Sequence, residues 1–341
     1  MNLKDLIFDL CRTAGVSGSE APAIEVARSY LKDFADIKTD DNGNLYATLG
    51  NKNAEKTILL DAHIDQIGLI VTDINSDGFV KVDKCGGMDV RVLQNARFIS
   101  QRSGITGTVC CLPPHLSDGS ESKATPISKV WIDFGMTYEE VKNHIKIGDV
   151  LTFASEPKEL LNHKITAPAL DNRCSVAALI RVAQLLQEKS VDYKVVILLS
   201  SQEETYGTGA VTGAYKFDAD EAIVVDVSFA SQPDVSGQYG KIELGKGPMI
   251  GISPILNRQM TDKLTALAKE NNIPYQFEPL SGTTGTNADK ISVTKGGVKT
   301  SMLSIPQRYM HTQIEVIDIA DVENTAALIA QYIISGGAFH D

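Results

Sequence analysis

The spacing of hydrophobic positions divides the chain into three parts. In the first, residues 2–14 and 20–35 carry apolar side chains at helical intervals, and IKTDDNGNLYATLG predicts a hairpin that turns at Asn42-Gly43. TILLDA, residues 57–62, is a short apolar run of the kind that forms a buried strand. The chain therefore begins with alternating helices and strands.

The middle part, residues 69–162, has a different pattern. Short β-branched runs are interrupted by glycine, as in LIVTDINSDGFVKVDKCGG and KIGDVLTFA, and only TYEEVKNHI suggests a helix. Such a pattern predicts a small all-β barrel or sandwich.

The last part returns to alternating elements. DNRCSVAALIRVAQLLQEKS predicts a helix for which Asp171 is a suitable N-cap, and helices are also expected near residues 261–272 and 321–335. The apolar runs VVILLSS, EAIVVDVS, YQFEPL and KTSMLSIP predict strands. Because alternation occurs on both sides of the β segment, we predict one α/β domain, residues 1–68 and 163–341, interrupted by a β insertion of residues 69–162.

Composition limits the partners and the location. Of 341 residues, 43% are hydrophobic and 22% are charged, as in ordinary globular proteins. The net charge of -11, with no basic stripe, argues against a nucleic-acid partner. The N-terminus lacks the apolar run of a signal peptide, no segment reaches the ~20 apolar residues of a membrane span, and five cysteines are scattered without CxxC spacing. We therefore expect a cytoplasmic protein with no membrane partner.

Potential metal ligands follow several of the predicted strands. Parallel strands of an open α/β sheet end at one rim, where ligands of such folds bind. The residues expected there are His63 and Asp65 after TILLDA, Glu203 and Glu204 after VVILLSS, Asp226 in EAIVVDVS, His311 beyond KTSMLSIP, and Asp171 in APALDNR. Each residue alone has an ordinary structural explanation. Together, as imidazoles and carboxylates without cysteine, they favour a hydrolytic zinc or cobalt site.

The charges of these residues favour two metal ions. Asp171, Glu204 and Asp226 with a bridging hydroxide carry four negative charges, which balance two divalent cations, while His63 and His311 bind as neutral imidazoles. Zinc, cobalt and manganese all accept such ligands. We therefore expect two divalent ions per subunit, with zinc as the first choice.

Two further carboxylates have roles beside the ligands. Asp65 lies two positions after His63, on the same side of an extended segment, and can accept the other imidazole N–H. Glu203 neighbours a ligand but points elsewhere, so it can act as the general base and return the proton to a leaving amine. We expect Glu203 and Asp65 to be catalytic residues. Arg308, near His311, is either structural or a clamp for acidic substrates.

Five segments of the chain, DAHIDQIG, APALDNR, SSQEE, IVVDVS and IPQRYMHT, carry a family resemblance. In their order and spacing the chain resembles the tetrahedral aminopeptidases, dinuclear metallopeptidases that include glutamyl aminopeptidases and proteins once labelled cellulase M or endoglucanase. The resemblance covers nearly the whole chain and includes VWIDFG and IKIGD within the insertion.

The resemblance implies an α/β/α catalytic domain of the zinc-aminopeptidase type with an inserted small β-barrel domain. The barrel makes dimer contacts in the family, and many members assemble into hollow tetrahedral dodecamers. By resemblance, one metal ion is held by His63, Asp171 and Asp226 and the other by Asp171, Glu204 and His311, with Glu203 as the general base and Asp65 orienting His63. Asp171 then bridges the two ions.

We therefore expect a cytoplasmic metal-dependent aminopeptidase that removes N-terminal residues from short peptides, by attack of a metal-bridging hydroxide. The alternatives are a carbohydrate-active hydrolase of the endoglucanase type, a metal-dependent deacylase or carboxypeptidase on a related fold, and a peptide-binding shell without catalysis. The chain departs from the family pattern at TYGTGA, directly after the two glutamates, and at Asn287, where aspartate is usual. These departures bear on substrate preference and loop geometry.

Overall fold

A computed structural model of the chain describes residues 2–116, 124–233 and 241–339. The helices are α1 (Leu3–Arg12), α2 (Ala21–Leu31), α3 (Tyr138–His144), α4 (Leu170–Leu186), α5 (Thr208–Phe217), α6 (Arg258–Glu270), α7 (Ala288–Ile291) and α8 (Ile319–Ile334). Within these three ranges, no helix is both long enough and apolar enough to cross a membrane.

The strands are more numerous and mostly short. They are β1 (Asp36–Thr39), β2 (Leu45–Gly50), β3 (Thr57–His63), β4 (Gly68–Ile74), β5 (Val80–Cys85), β6 (Arg97–Ser100), β7 (Thr106–Val109), β8 (Trp131–Asp133), β9 (Val150–Phe153), β10 (Lys158–Glu159), β11 (Lys164–Ala167), β12 (Lys194–Ser200), β13 (Glu221–Phe229), β14 (Met249–Ile252), β15 (Gln276–Pro279), β16 (Lys299–Gln307) and β17 (Glu315–Asp318). The predicted hairpin is the antiparallel pair of β1 and β2, and Gly43 in its turn has a φ of +84°.

An eight-stranded sheet organises the α/β part, in the order β1-β2-β12-β3-β13-β16-β14-β15. Its four central strands, β12, β3, β13 and β16, run parallel and are buried on both faces, as their continuous apolar sequences predict. Helices α1, α2, α4, α6 and α8 share the larger apolar core on one face, whereas α5 and α7 pack on the other. Parallel pairing brings the carboxyl ends of the central strands to one rim.

Between β3 and β10 lies a closed six-stranded barrel, in the order β4-β5-β8-β7-β6-β9. It has its own core of buried apolar residues, separate from the two cores of the large sheet. The predicted α/β fold with an inserted small β-barrel is therefore confirmed. The division of the chain at residues 69 and 162 stays a prediction, although the barrel strands themselves run from Gly68 to Phe153.

Helix α5 is not among the predicted elements, because its sequence TGAVTGAYKF contains two glycines, which are poor helix formers. Both glycines pack closely against β12 and the residue that follows it, but only Gly209 faces backbone atoms. A Cβ on Gly209 would lie 2.4 Å from the backbone N and O of Ser201, whereas a Cβ on Gly213 would meet only side-chain carbons of Leu198. The helix therefore begins directly against the backbone that leads to Glu203.

These contacts predict unequal effects of two alanine substitutions in the same helix. Gly209→Ala forces backbone against backbone and should lower the free energy of unfolding by roughly 1–3 kcal/mol or more. Gly213→Ala should change it by less than about 1 kcal/mol, because the Leu198 side chain can rotate and alanine favours the helix. Urea denaturation of the two variants measures the difference, and equal midpoints would contradict the packing described above.

Candidate metal centre

The parallel strands of the large sheet place most of the predicted ligands at one rim. His63 is the last residue of β3, and its register partner is Ser200, the last residue of β12. Asp226 lies on β13, the other neighbour of β3, and His311 follows β16, the next strand. The rim has this composition because imidazole and carboxylate side chains lie at or near the ends of these strands.

Asp171 approaches the rim from the start of α4. The backbones of Asp171 and Asn172 are not helical, so a kink separates the first turn of α4 from the rest of the helix, and the peptide bond between these two residues is cis. Ala169 stands at the N-cap position of that first turn, and the prediction that Asp171 is an N-cap stays a prediction. The carboxylate faces both imidazoles: Oδ1 lies 3.2 Å from His63 Nε2, and Oδ2 lies 3.3 Å from His311 Nε2.

The predicted ligands form overlapping groups of three. In each group the ligand atoms lie within 4.8 Å of one another, and the groups are His63, Asp171 and Asp226; Asp171, Glu204 and His311; and His63, Glu203 and Glu204. Asp171 is common to the first two. The donor set of two imidazoles and several carboxylates fits divalent ions such as zinc, cobalt or manganese.

The members of the cluster shift one another's pKa. Burial lowers the pKa of His63 and His311, but hydrogen bonds with Asp171 and its neighbours outweigh burial and raise both pKa values far above the usual range. Burial also raises the pKa of Glu204 and of Asp226, where each carboxylate is close to other negative groups. Because several carboxylates lie close together, a cation between them is favourable. A bound divalent ion would supply that positive charge.

Backbone carbonyls orient both imidazoles so that Nε2 faces the carboxylates. Nδ1 of His63 lies 3.2 Å from the carbonyl oxygen of Asp65 and 3.4 Å from its carboxylate Oδ1. Nδ1 of His311 lies 2.9 Å from the carbonyl oxygen of Gly87, which belongs to the loop after β5 in the barrel. A Cβ on Gly87 would lie 2.8 Å from the His311 ring, so only glycine permits this approach.

Two buried carboxylates hold the backbone of the segment that carries the adjacent glutamates. Asp65 accepts hydrogen bonds from the N–H groups of Glu203 and Glu204, at 3.0 and 3.1 Å. Glu20 accepts one from the N–H of Gln202, at 3.2 Å. Three consecutive N–H groups therefore point at two carboxylates, which fixes where the Glu203 and Glu204 side chains emerge. From the sequence, Asp65 is expected to contact only His63, and no pattern there indicates the role of Glu20.

Glu315, whose role is not predicted from the sequence, likewise binds backbone N–H groups, here those of Asp171 and His311. Its two carboxylate oxygens accept hydrogen bonds from the backbone N–H groups of Asp171 and His311, at 3.1 and 2.9 Å. Burial raises its pKa well above the usual range. The only signal in the sequence is an acidic residue at the start of the apolar run in IEVID.

Glu203 differs from the other carboxylates of the cluster in its exposure. Its side chain is 18% exposed, and its Oε2 lies 3.9 Å from His63 Nε2. Burial, with the nearby Asp226 and Glu204, raises its pKa to about 8. Since Glu203 also belongs to one group of three, its position suits a ligand as well as a base.

The two segments expected to depart from the family pattern lie side by side. Gly207, the N-cap of α5, has a φ of +76°, and a Cβ added to it would lie 3.2 Å from Oδ1 of Asn287. The Tyr206 ring lies beneath the ammonium of Lys290, one turn further along α7. Buried Asn287 donates hydrogen bonds to Asp61 and Ser200, at 3.0 and 2.9 Å. The TYGTG segment and the start of α7 are therefore neighbours close to the ends of β3 and β12.

Arg308 does not face the cluster. Its Nε donates a hydrogen bond to the carbonyl oxygen of Ser231, at 2.9 Å, and it is not among the described residues that line the cavity at the rim. Of the two possibilities left open for Arg308, the structural one agrees with this geometry.

Comparison with known proteins identifies the same family as the sequence motifs. The family model described as M42 glutamyl aminopeptidase matches residues 43–328. A lysyl aminopeptidase from Pyrococcus furiosus is 35% identical over 95% of this chain and 94% of its own length. Among solved structures, aminopeptidase APDkam598 from Desulfurococcus kamchatkensis superimposes with a TM-score of 0.92 at 32% identity, covering 98% of this chain and 95% of that one.

A second solved structure bears on assembly. The TET1 peptidase of Pyrococcus horikoshii, described as assembling into a tetrahedron or a large octahedral shell, superimposes with a TM-score of 0.86 at 30% identity. The match covers 97% of this chain and 99% of that one.

The shared position of Asp171 predicts how metal content responds to substitution. Asp171→Asn should reduce binding of both ions, because Asp171 belongs to two of the ligand groups, whereas Asp226→Asn should affect one ion. Elemental analysis after dialysis against a fixed zinc concentration measures the ions per subunit. The exposed Asp262→Asn is the control, and full metal content in Asp171→Asn would contradict the shared position.

Proposed function

The chain belongs to the M42 glutamyl aminopeptidase family and is a peptide-bond hydrolase, and on this premise we propose that it removes single residues from the N-termini of short peptides with two divalent metal ions and Glu203 as the general base. The observation that carries the proposal is the Asp171 carboxylate, whose two oxygens face His63 and His311 separately. A carboxylate in this position suits a bridge between two ions.

The proposed ligands divide into two sets. His63, Asp171 and Asp226 would hold one ion, and Asp171, Glu204 and His311 would hold the other. When bound, such ions polarise a carbonyl group and lower the pKa of water, which is the chemistry that peptide hydrolysis needs. Zinc is the first choice, and cobalt or manganese would fit the same donors.

Glu203 is the proposed base because it is the most exposed carboxylate of the cluster and reaches the cavity. Its carboxylate lies beside His63 at the cavity, where it could take a proton from the attacking water and return it to the leaving amine. Asp65 is the proposed positioning residue. Its carbonyl oxygen lies beside Nδ1 of His63, and its carboxylate accepts hydrogen bonds from the backbone N–H groups of Glu203 and Glu204. Together they would place the base beside the bond that is cleaved.

The alternative functions have less support. A glycosidase needs a suitably spaced carboxyl pair but has no use for two imidazoles aimed at that pair. A deacylase or carboxypeptidase would share the metal centre, but the family to which the chain belongs consists of aminopeptidases.

Assembly and location are part of the proposal. Relatives that form tetrahedral or octahedral shells support a homo-oligomer built from dimers, with the barrel of the insertion, residues 69–162, as the dimer contact and a tetrahedral dodecamer as the full assembly. All five cysteines are free thiols, which supports a reducing, cytoplasmic location.

Replacement of Glu203 by glutamine tests the proposed base. Glu203→Gln should lower kcat at least ~100-fold on aminoacyl anilides while both metal ions stay bound, because the amide keeps the shape but cannot accept the proton. Glu204→Gln should lose metal as well as activity. Steady-state kinetics with elemental analysis of the same samples separates the two roles.

A Glu203→Gln enzyme with full activity would contradict the role of Glu203 as the base. A wild-type enzyme whose activity is unaffected by metal stripping and readdition would contradict the dependence on metal. Cleavage of β-glucan after chelation would instead indicate a carbohydrate-active hydrolase, and activity only on N-acylated substrates would indicate a deacylase or carboxypeptidase.

The proposed assembly is tested by the mass of the oligomer in solution. Light scattering coupled to size-exclusion chromatography should give a mass of about twelve times the 36.8 kDa chain, or a multiple of the dimer. A monomer at micromolar concentration would contradict the proposed assembly but not the chemistry.

A further inference from the structure

The cavity at the rim has a second wall opposite the metal centre. This cavity has a volume of ≈ 430 Å³ and is lined on one side by the ligand cluster. Away from the cluster, the lining combines polar residues with apolar ones: Ser228, Glu278, Thr284, Thr286 and Ser304 with Val227, Phe229, Met302 and Met310. If the proposed function is correct, this wall faces the first residue of the peptide.

Glu278 occupies this wall because of the sheet register. It lies on β15, where its register partner on the adjacent strand β14 is Gly251. Because Gly251 has no side chain, the Glu278 side chain can extend across β14. Its carboxylate therefore extends to β16 and β13, where it accepts a hydrogen bond from Ser304 Oγ at 2.6 Å and another, on its other oxygen, from Ser228 Oγ. Ser304 is in turn the register partner of the proposed ligand Asp226.

The Glu278 carboxylate has no cationic partner in the part of the chain that the structure describes. Glu278 is only 3% exposed, and the carboxylate accepts hydrogen bonds from the neutral hydroxyl groups of Ser228 and Ser304. Burial raises its pKa, and those hydroxyls lower it in part. Removing a carboxylate from water without a counter-ion is costly, and a buried acid next to an open cavity is a natural partner for a cation from the ligand.

We propose that Glu278 selects peptides whose N-terminal residue has a cationic side chain, lysine or arginine. The proposal rests on the proposed function, since it assigns the residue that the same site accepts. Neighbouring strands lie about 4.8 Å apart, so a carboxylate bonded to Ser304 lies close to Asp226. Lysine carries its ammonium on a flexible four-carbon stem that can span this distance from the metal centre.

The rest of the wall disfavours an acidic side chain. None of the described residues that line the cavity is lysine or arginine. Arg308, the nearest candidate suggested by the sequence, is bound to the carbonyl of Ser231 instead. A glutamyl or aspartyl side chain would therefore face a carboxylate with no compensating cation, and like charges in a desolvated site repel.

The α-ammonium of the peptide is the other cation that could reach Glu278. It is present on every aminopeptidase substrate, whereas a charged side chain is not. Recognition of the α-ammonium would affect all substrates equally, and recognition of the side chain would affect only basic ones. A comparison across substrates therefore distinguishes the two.

The experiment compares wild type, Glu278→Gln and Glu278→Asp, loaded with metal, on lysyl, arginyl, leucyl, methionyl and glutamyl anilides. Wild type should prefer the two basic substrates. Glu278→Gln, which keeps shape and hydrogen bonding but loses the charge, should lower kcat/KM for them roughly 30-fold and leave leucyl anilide within about twofold. Glu278→Asp should recover part of the preference. Glu270→Gln, an exposed carboxylate on α6, is the matched control.

Binding of L-lysinamide and L-leucinamide by calorimetry supplies a readout that does not require turnover. Wild type should bind lysinamide more tightly, and Glu278→Gln should lose that difference. Equal losses for all substrates would overturn side-chain selection in favour of the α-ammonium, and no loss, or a preference for glutamyl substrates, would overturn any role in selection. Lysinamide selectivity without turnover of any anilide would contradict the proposed function while supporting the proposed selectivity.

Discussion

The concentration of negative charge at one rim of the parallel sheet is the constraint on which the site depends. Asp171, Glu203, Glu204 and Asp226 converge there because parallel strands end together and because α4 begins at the same place. The imidazoles of His63 and His311 offset only part of that charge. The carboxylates of such a cluster repel one another unless protons or cations lie between them, and this supports the proposed dinuclear centre.

A second layer of buried carboxylates acts on backbone rather than on side chains. Asp65 and Glu20 bind the N–H groups that precede and carry the adjacent glutamates, and Glu315 binds those of Asp171 and His311. Hydrogen bonds from backbone N–H groups stabilise carboxylates without adding another cation. Acidic residues therefore form the ligand cluster and also hold the loops that carry it. This explains why so many acidic residues are buried in one region.

Local sequence pattern predicts the parts of this arrangement that depend on one segment at a time. Apolar runs predict the central strands, and the residues at their ends predict the rim, since a parallel sheet brings those ends together. Local pattern does not predict α5, whose Gly209 is required by close approach to Ser201, nor the roles of Glu20 and Glu315, whose partners are distant in the chain. It also gives no sign that the TYGTG segment and Asn287 lie side by side. Long-range contacts of this kind leave no periodic signal in one sequence.

The contact between the barrel and the ligand cluster is another long-range feature that the sequence does not predict. From local pattern, the barrel is expected to be an independent unit. Gly87 belongs to the loop after β5, yet its carbonyl contacts Nδ1 of His311, and a Cβ on it would collide with that ring. The neighbouring Gly86 has a φ of +87°, and a Cβ on it would lie 2.8 Å from Ile67 in the barrel core and 3.3 Å from Cβ of Glu204. The glycine pair in KCGG therefore lies where the barrel meets the ligand cluster, and Gly87 is required by the cluster. One loop of the insertion orients a proposed ligand, so the position of His311 depends on the barrel as well as on the large sheet.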